Sequence, residues 1–593
     1  IPTFEEVMEY SPSLRGFLEQ YPHVKTHIEA LHGQVRSCSR HAGGVVIAEN
    51  LDQYMPLINS GGVRQTPWSE GQNVRHLEPM GFIKFDLLGL STLRMIEGAI
   101  RHILRRQGNK NPSFEEVKAF YDDNLHPDKI DLNDQNVYEN IFRNGKWAGV
   151  FQFTEDGAQN LCMVAKPTSI IDIAAVTSIF RPGPLSAKVD RDYVEAKENP
   201  QYIQYHNEDY REVTEETYGF LIFQEQISAL AHRLGKDLSL DEGNMLRKVL
   251  TKKGTGKTAK VKEALYTKFV DGCTEKGMTN RQAKALWEKF EFFSGYGFNK
   301  SHAISYSMIS FQCAWLLNYH PECWMAAFLD KEPETRKAKA ITIAKKYGFE
   351  IAKLNINTSG KVWEISDDGK TLIQPLTAIK GLGEAAIKQV INNRPFINVE
   401  EFLFNENITY SKLNKRALDV LIRSGALDPL RDERFTGGKH FWSAVAVDRP
   451  RKLKNLEDNI VTYAPEGDFS EEEEIQFIID LTGEFPLERV MTEDIRERLD
   501  KMCVPPISMF DPNLMVTWFI PRKCISKKTR TGKDYWILEV TDENNAATSI
   551  RCWGIDPKKD NIALNRPYMA RLEHSDQWGF STRSLRSNFR VLG

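Results

Sequence analysis

A single aspartate, Asp86, stands in the apolar stretch GFIKFDLLGL, residues 81–90. The pattern predicts a buried strand, and an ionised carboxylate between Phe85 and Leu87 is costly there unless a cation or a metal compensates it. Lys84 comes two residues earlier and therefore lies on the same face of a strand, where it can offset the carboxylate. The sequence thus predicts a metal or a cationic partner at Asp86.

A second candidate site lies in FFSGYGFNKSHAISY, residues 292–306. Gly295 and Gly297 break the preceding helix, and we expect Ser301 to cap the next one. Three polar side chains gather at the positive end of that helix: Asn299, Lys300 and His302. Two tyrosines add flat surfaces for a base or a sugar: Tyr296 and Tyr306. The stretch predicts an anion site, although a capped helix with incidental polar residues also fits it.

Positive charge recurs in two further stretches. FRPGPL, residues 180–185, places Arg181 beside prolines that fix the backbone, which suits phosphate recognition but also describes a surface turn. Between Arg247 and Lys268 the chain carries seven lysines and one acid, Glu263. This run is either a solvated helix face or a field for polyphosphate.

Two glycine-containing motifs have different standing. TKKGTGKT, residues 251–258, ends like a phosphate-binding P-loop but lacks the first glycine and follows a helical segment, so we reject it. AIKGLGEAAIKQV, residues 378–390, has the form of a helix-hairpin-helix, in which Gly381 and Gly383 let backbone amides approach a DNA phosphate. A glycine turn between two packed helices is the alternative.

Composition limits the class of protein. A chain of 593 residues is too long for one hydrophobic core, its net charge is −3, and it has no apolar run long enough to cross a bilayer. Eight scattered cysteines without a CxxC pair argue against a structural zinc site and for reduced thiols in the cytoplasm. The chain begins with Ile1 and no secretory signal, and we expect it to be processed, split or trimmed.

The alternation of patterns predicts a multidomain α+β fold. Residues 1–40 show helical spacing, glycine-punctuated strands begin at His41, and helices follow Ser91, with Ile304, Met308, Phe311 and Trp315 on one face of a buried helix. Another unit begins near residue 350. Residues 430–470 predict a linker or exposed loop, and Ser470 with Glu473 predicts a capping box. Several short strands past residue 510 predict a small barrel such as an OB-fold.

Seven motifs together resemble a known family. HAGGVVIA, IKFDLLGL, VFQF, FRPGPL, ETYGFLIFQEQI, LRKVLTKK and SGYGFNKSHAISY occur in the order seen in bacterial DNA polymerase III alpha subunits, the C-family replicative polymerases. The resemblance covers most of residues 1–430. It implies template-directed DNA synthesis and a series of domains: 1–40 thumb, 41–91 second part of a Pol-beta-like palm, 92–350 fingers, 351–430 helix-hairpin-helix and clamp-binding-like region, 431–510 linker and connecting helices, 511–593 OB-fold.

The resemblance also implies roles for single residues. Asp86 matches the third of three palm aspartates that bind two Mg²⁺ ions, and Lys84 stands beside it. The expected nucleotide-binding residues are Arg181, Arg247, Lys248, Lys252, Lys253, Tyr296, Asn299, Lys300 and His302. The expected DNA-binding residues are His41, Gly43, Gly44, Lys380, Gly381 and Gly383.

The family's other two palm aspartates lie upstream of the thumb. Asp190 and Asp192, in VDRD, have the right spacing but fall in the fingers, so we reject them. The resemblance therefore implies a companion polypeptide that carries the PHP domain and the first half of the palm, from a phage or a split bacterial polymerase. The expected ligands are primer–template DNA and dNTPs.

Two questions stay open at the level of sequence. The family's clamp-binding peptide has no convincing copy in residues 430–475, which leaves a sliding clamp and other replisome proteins unassigned as partners. A non-catalytic DNA-binding scaffold derived from such a polymerase is the alternative function. Asp86 and the basic fingers favour the enzyme, because a scaffold has no use for a metal carboxylate.

Overall fold

The computed structural model describes residues 3–34, 40–69, 76–181, 184–185, 188–250, 257–294, 297–529, 532–543, 548–556, 559–575 and 579–592, without the side chains of residues 248, 257–259, 294 and 334–335. The chain divides into two compact units, Ile1–Ser91 and Thr92–Gly593. In the described ranges no helix is both long and apolar enough to cross a membrane.

The first unit begins with short helices, which span Phe4–Tyr10, Pro12–Gln20 and Lys25–Leu31, with a 3-10 turn at Pro22–Val24. A capping box between Thr3 and Glu6 starts the first helix. The predicted helical region is confirmed in the described residues. Its apolar spacing does not mark a packed core, since Phe17 is 41 % and Leu31 71 % exposed.

Four short strands follow in the first unit: β1 Gly44–Val46, β2 Ile58–Ser60, β3 Val63–Gln65 and β4 Lys84–Asp86. A helix at Leu51–Tyr54 and a 3-10 turn at Glu78–Met80 lie between them. β2 and β3 form a hairpin, and β1 pairs antiparallel with β4 so that Gly44 lies opposite Asp86. The expected strands therefore form two separate ribbons.

The strand that carries Asp86 is exposed, so the prediction of a buried strand is wrong. Phe85 is 44 % exposed, Leu87 68 %, and Val45, which lies opposite Phe85 on β1, 40 %. Within the described part of the first unit β4 pairs with β1 alone. A two-stranded ribbon gives its side chains few neighbours, and the apolar residues stay partly exposed.

The second unit is helical over its first half, as predicted. Its α-helices span Ser91–Arg106, Phe114–Asn124, Gln135–Val137, Asp156–Ala165, Ile170–Ile179, Val189–Glu198, Glu208–Thr214, Gln224–Leu234, Leu240–Leu250, Lys257–Glu275, Asn280–Ser294, Lys300–Tyr319, Pro321–Lys331 and Glu334–Lys346. A π-helix spans Tyr138–Arg143, and 3-10 turns span Pro200–Tyr202 and Glu215–Thr217. Three strands, β5 Glu350–Ala352, β6 Glu364–Ile365 and β7 Thr371–Ile373, form a small sheet in the order β5-β7-β6.

The helix Lys300–Tyr319 runs through the main hydrophobic core. Phe311 is fully buried, and Ile304, Met308 and Trp315 pack against the core, as the apolar spacing predicted. The other faces are buried as well. Gln312 donates from its amide to the carbonyl of Leu125 at 2.8 Å, which satisfies a polar group that would otherwise be costly inside. Because this helix is packed on most of its surface, the position of its N-terminus is fixed.

Residues 354–481 share a hydrophobic core of their own. It is built by α-helices at Glu384–Asn393, Val399–Phe404, Lys415–Arg423, Gly438–Trp442, Leu453–Tyr463 and Glu471–Thr482, with a π-helix at Ser443–Val447. Short 3-10 turns span Leu376–Ala378, Asp428–Leu430 and Ala464–Glu466.

The prediction of a linker or exposed loop at residues 430–470 is wrong. Phe441, Val445 and Leu456 are buried in the same core as Leu418. Charged residues are nearly as numerous as apolar ones in this segment. Although Val447, Leu453 and Val461 stay exposed, enough apolar side chains face the core to fold the segment. The capping box of Ser470 and Glu473 is confirmed and starts Glu471–Thr482.

The chain ends in a curled seven-stranded sheet, preceded by helices Leu487–Val490 and Glu493–Lys501 and a 3-10 turn Ile507–Met509. Its strands are β8 Val516–Lys528, β9 Asp534–Thr541, β10 Thr548–Cys552, β11 Tyr568–Arg571, β12 Glu573–Ser575, β13 Gly579–Thr582 and β14 Phe589–Val591, with a helix Leu585–Asn588 before the last. The order is β12-β13-β10-β9-β8-β11-β14. The long β8 carries an irregularity between Pro521 and Lys523 and pairs with both β9 and β11, which curls the sheet.

Candidate functional site

Asp86 has two side-chain partners in the first unit, a lysine and a histidine. Its carboxylate oxygen lies 3.2 Å from Lys84 Nζ and 3.8 Å from His41 Nε2. Lys84 and Asp86 are on one face of β4, as their spacing predicted. The Asp86 side chain is 48 % exposed, so water also stabilises its charge and the compensation expected for a buried acid is not required.

Gly43 and Gly44 allow the chain to fold back closely on this aspartate. A Cβ on Gly43 would lie 2.6 Å from the carbonyl oxygen of Leu87, and one on Gly44 would lie 2.9 Å from His41 Nδ1. The amide of Leu87 donates to the carbonyl of Gly43 at 2.8 Å. Both glycines therefore have a packing reason to be glycine.

In the second unit the predicted nucleotide-binding residues that are described come together. Arg181, Arg247 and Lys300, with Asn299 and His302, form what we call the basic cluster. A short backbone bridge joins its segments: the amide of Gln224 donates to Phe298 at 2.8 Å, and the amide of Phe298 donates to Ile222 at 3.2 Å. Lys252, Lys253 and Tyr296 lie outside the described residues, as does the side chain of Lys248.

Asn299, and not Ser301, caps the helix Lys300–Tyr319. The Asn299 side-chain oxygen accepts from the backbone amide of His302 at 2.8 Å, and Ser301 donates its hydroxyl to the same oxygen at 2.7 Å. The cap must sit in extended backbone just before the first helical residue, and Asn299 has φ −71° and ψ 121° there. The prediction of a helix start was right and its cap residue was wrong.

A carboxylate of the chain itself occupies the expected anion position. Glu225 accepts from the Asn299 side-chain amide at 2.7 Å and from the backbone amide of Lys300 at 2.8 Å, and lies 4.0 Å from Arg247. Glu216 contacts the ammonium group of Lys300. A carboxylate at a helix N-terminus is stabilised by the same donors that would bind phosphate.

The residues that hold this arrangement were missed in the sequence. Gln224 accepts from Arg247 at 3.4 Å and donates to the carbonyl of Gly297 at 2.7 Å. The side-chain oxygen of Gln226, which is 3 % exposed, accepts from the amides of Ile222 and Phe223. Two glutamines around a glutamate, at residues 224–226, were the available signal.

Aromatic rings line the basic cluster. The Arg181 guanidinium lies 4.3 Å from the centroid of the Phe298 ring, a cation–π contact that fixes its direction. The His302 ring packs between Phe298 and Tyr306, at centroid distances of 5.4 and 4.1 Å. Flat ring surfaces therefore adjoin the cationic groups.

The hairpin at Lys380–Gly383 has the predicted geometry. Gly381 has φ +89°, which favours glycine, while Gly383 is extended and precedes the helix Glu384–Asn393. The backbone amide of Lys380 donates to the carbonyl of Leu481 at 2.7 Å, and its side chain is exposed. The backbone of the loop is therefore held by Leu481, while the Lys380 side chain is open to solvent.

Comparisons with known proteins identify three regions. Residues 2–89 match the family described as the bacterial DNA polymerase III alpha NTPase domain, and residues 109–277 match its finger domain. Residues 348–436 match a helix-hairpin-helix motif.

Curated relatives carry the name DNA polymerase III subunit alpha. The one from Campylobacter jejuni is 33 % identical over 437 residues, which is 72 % of this chain and 35 % of the relative. The relative from Pseudomonas aeruginosa is 31 % identical over 475 residues, which is 77 % of this chain and 38 % of the relative. The relative from Thermus aquaticus is 32 % identical over 444 residues, which is 72 % of this chain and 34 % of the relative. The match thus spans about a third of the length of these relatives.

Proposed function

The chain belongs to the family of bacterial DNA polymerase III alpha subunits, and on that premise we propose that it acts in template-directed DNA synthesis by nucleotidyl transfer. The observation that supports this most is the convergence of Arg181, Arg247 and Lys300, which are distant in sequence, at the start of one buried helix. Cations gathered at a helix N-terminus can bind the triphosphate of a nucleotide in place of Glu225 and Glu216, which contact Arg247 and Lys300 here. The first role proposed is therefore binding of the incoming dNTP.

Each described member of the basic cluster has a suitable group. Arg247 and Lys300 offer cations, Asn299 offers an amide, and Arg181 offers a planar guanidinium already oriented by Phe298. His302 and the adjoining rings would accept the base or sugar. We extend the role by resemblance to Lys248, Lys252, Lys253 and Tyr296.

Asp86 is proposed as one ligand of Mg²⁺. Its exposed carboxylate is the hard oxygen donor that Mg²⁺ prefers, but the described residues hold no group of three or more potential metal ligands. We therefore propose that two further aspartates come from a companion segment with the PHP domain and the first half of the palm. When bound, Mg²⁺ would activate the primer 3′-hydroxyl and neutralise the leaving pyrophosphate. Lys84 would offset the carboxylate charge.

DNA contacts are proposed at two further places. The open hairpin with Lys380, Gly381 and Gly383 would hold the phosphate backbone without sequence preference. Near Asp86, His41, Gly43 and Gly44 would lie against the primer–template. We propose that the curled sheet of residues 516–591 is an OB-fold.

Primer extension tests the proposal. The chain is assayed alone and after addition of a polypeptide that carries the PHP domain and first palm half, with unaltered protein, Asp86→Asn and the control Asp52→Asn. Asp52 is also an exposed aspartate of the first unit, 3.6 Å from Arg64. We expect extension by the reconstituted complex, a loss of several orders of magnitude in Asp86→Asn, and no change in Asp52→Asn.

Equal extension by the complexes with Asp86→Asn and Asp52→Asn would refute the role of Asp86. Binding of primer–template without extension by any reconstituted complex would favour the scaffold function instead.

A further inference from the structure

We propose that an exposed surface next to the hairpin region, formed by Tyr410, Lys412, Arg451, Lys452 and Lys454 and here called the basic surface, binds the phosphodiester backbone of DNA. The inference rests on the proposed function, because it gives the polymerase a further contact to its DNA. The surface lies partly in the segment that the sequence predicted to be a linker.

Two segments distant in sequence build the surface. Arg449, which is 6 % exposed, donates to the carbonyl of Tyr410 at 2.8 Å and places its guanidinium 3.5 Å from the centroid of the Tyr410 ring. Arg451 lies 5.6 Å from the same ring. Lys415 donates to the carbonyl of Val447 at 2.8 Å. These contacts hold the turn before Lys415–Arg423 against the segment before Leu453–Tyr463.

Among the residues that the structure describes, the exposed cations of this surface have no counter-ion. Lys412, Arg451, Lys452 and Lys454 are all exposed, and none forms an ion pair within the described part of the chain. Nearby Arg423, in contrast, pairs with Asp419 at 2.6 Å. Residues 448–454 contain four cations against one acid, Asp448. Like charges gathered without partners repel one another and create a field that attracts a polyanion.

The buried Arg449 supports the same conclusion. Its Nε is buried and has no hydrogen-bond partner among the described residues. The guanidinium is held here by its stacking on Tyr410 and by one hydrogen bond to the Tyr410 carbonyl, and it adds positive charge beside the exposed Arg451. If Arg449 had only a structural role, an apolar side chain would cost less free energy in this buried position.

Position favours DNA over another polyanion. The side chain of Gln389 donates to Thr409 Oγ1 at 3.0 Å and accepts from the Thr409 amide at 3.0 Å. Gln389 lies on the helix Glu384–Asn393, which begins immediately after Gly383 of the hairpin. The basic surface thus adjoins the helix that follows the hairpin, and Tyr410, 45 % exposed between cations, offers a ring for a sugar or base.

Fluorescence anisotropy with labelled duplex and single-stranded DNA, at rising salt, tests the proposal. The full chain is compared with the triple variant Arg451→Ala, Lys452→Ala and Lys454→Ala. The matched control replaces three exposed lysines of the helical region by alanine: Lys110, Lys118 and Lys129. We expect the first variant to bind DNA about tenfold or more weakly at low salt, with a salt slope smaller by about 2–3, and the control to bind as the unaltered chain does.

Loss of affinity for either form of DNA supports the proposal and shows which form the surface contacts. Unchanged affinity and slope for both forms would overturn it, and so would an equal loss in the control, because that would be a general charge effect. Poly-glutamate serves as a probe for an acidic protein partner. If the first variant loses binding of poly-glutamate but binds DNA as the unaltered chain does, the surface binds an acidic protein and the proposal is overturned. The anisotropy experiment measures DNA binding and not DNA synthesis. A dependence of DNA binding on the basic surface would therefore stand even if the primer-extension experiment failed.

Discussion

The carboxylate of Asp172 and the ammonium group of Lys197 lie 2.6 Å apart, with 2 % and 10 % of their side chains exposed. The hydroxyls of Tyr193 and Tyr218 and the amide of Thr168 also donate to Asp172. Asp172 lies on the helix that ends just before Arg181, and Tyr218 precedes the segment that carries Glu225. This buried pair therefore ties together the elements that position the basic cluster.

Replacement of Asp172 by Asn should lower the free energy of unfolding by about 3–5 kcal/mol, because it leaves the Lys197 cation buried without a partner. The matched control is Glu198→Gln, which breaks an exposed pair with Lys166 at 3.5 Å and should change stability by at most about 0.5 kcal/mol. Chemical denaturation measures both. Similar small losses would contradict the structural role of the pair.

The same pair gives an expected pH dependence. Burial alone would raise the pKa of Asp172, but the Lys197 charge and hydrogen bonds from Lys197 and Thr168 hold that pKa below its ordinary value of 3.8. A lowered folded-state pKa stabilises the fold fully above the ordinary pKa and less as pH falls through the folded-state value. The stability difference between unaltered protein and Asp172→Asn should stay constant at mild pH and shrink in acid below the ordinary carboxyl pKa.

The helix cap can be checked by a pair of neighbouring variants. Asn299→Ala should lower the free energy of unfolding by about 1 kcal/mol or more, because it removes the acceptor for the His302 amide and the donor to Glu225. Ser301→Ala removes an exposed hydroxyl that donates to the Asn299 oxygen but leaves the cap itself in place, and it should cost much less. Thermal unfolding of both variants measures the difference, and a larger loss in Ser301→Ala would restore the cap predicted from sequence.

Arg247 is expected to contact the triphosphate of the incoming dNTP. Arg247→Ala should raise the apparent KM for dNTP by about tenfold, because a charge-assisted contact to phosphate is lost. Arg233→Ala is the control, since Arg233 is exposed and pairs with Glu212 on the surface. Steady-state extension at varied dNTP measures both, and equal KM values would remove Arg247 from the site.

The two hairpin glycines should respond differently to alanine. Gly381→Ala forces a side chain into a left-handed backbone and should cost more than about 1 kcal/mol, with weaker DNA binding. Gly383 is extended, and a Cβ there meets nothing within 4 Å, so Gly383→Ala should fold nearly normally. Unfolding and DNA-binding titrations would expose the contrast. Equal stability of the two variants would contradict the φ of +89° at Gly381.

The sequence by itself determined features that depend on neighbours along the chain. Motif order identified the family, apolar spacing located the helix Lys300–Tyr319, and Ser470 with Glu473 marked a capping box. Period-two spacing placed Lys84 and Asp86 on one face. These features depend on local backbone geometry, which the types of adjacent residues determine.

Only the tertiary structure decided what depends on residues far apart. Asp86 is exposed because its strand pairs with one strand only in the described part of the first unit. Residues 430–470 fold because apolar side chains such as Phe441 share a core with Leu418. Glu225 takes the anion position because a backbone bridge brings Phe223 beside Phe298. Burial and charge pairing are set by which surfaces meet, and composition within a short window does not contain that information.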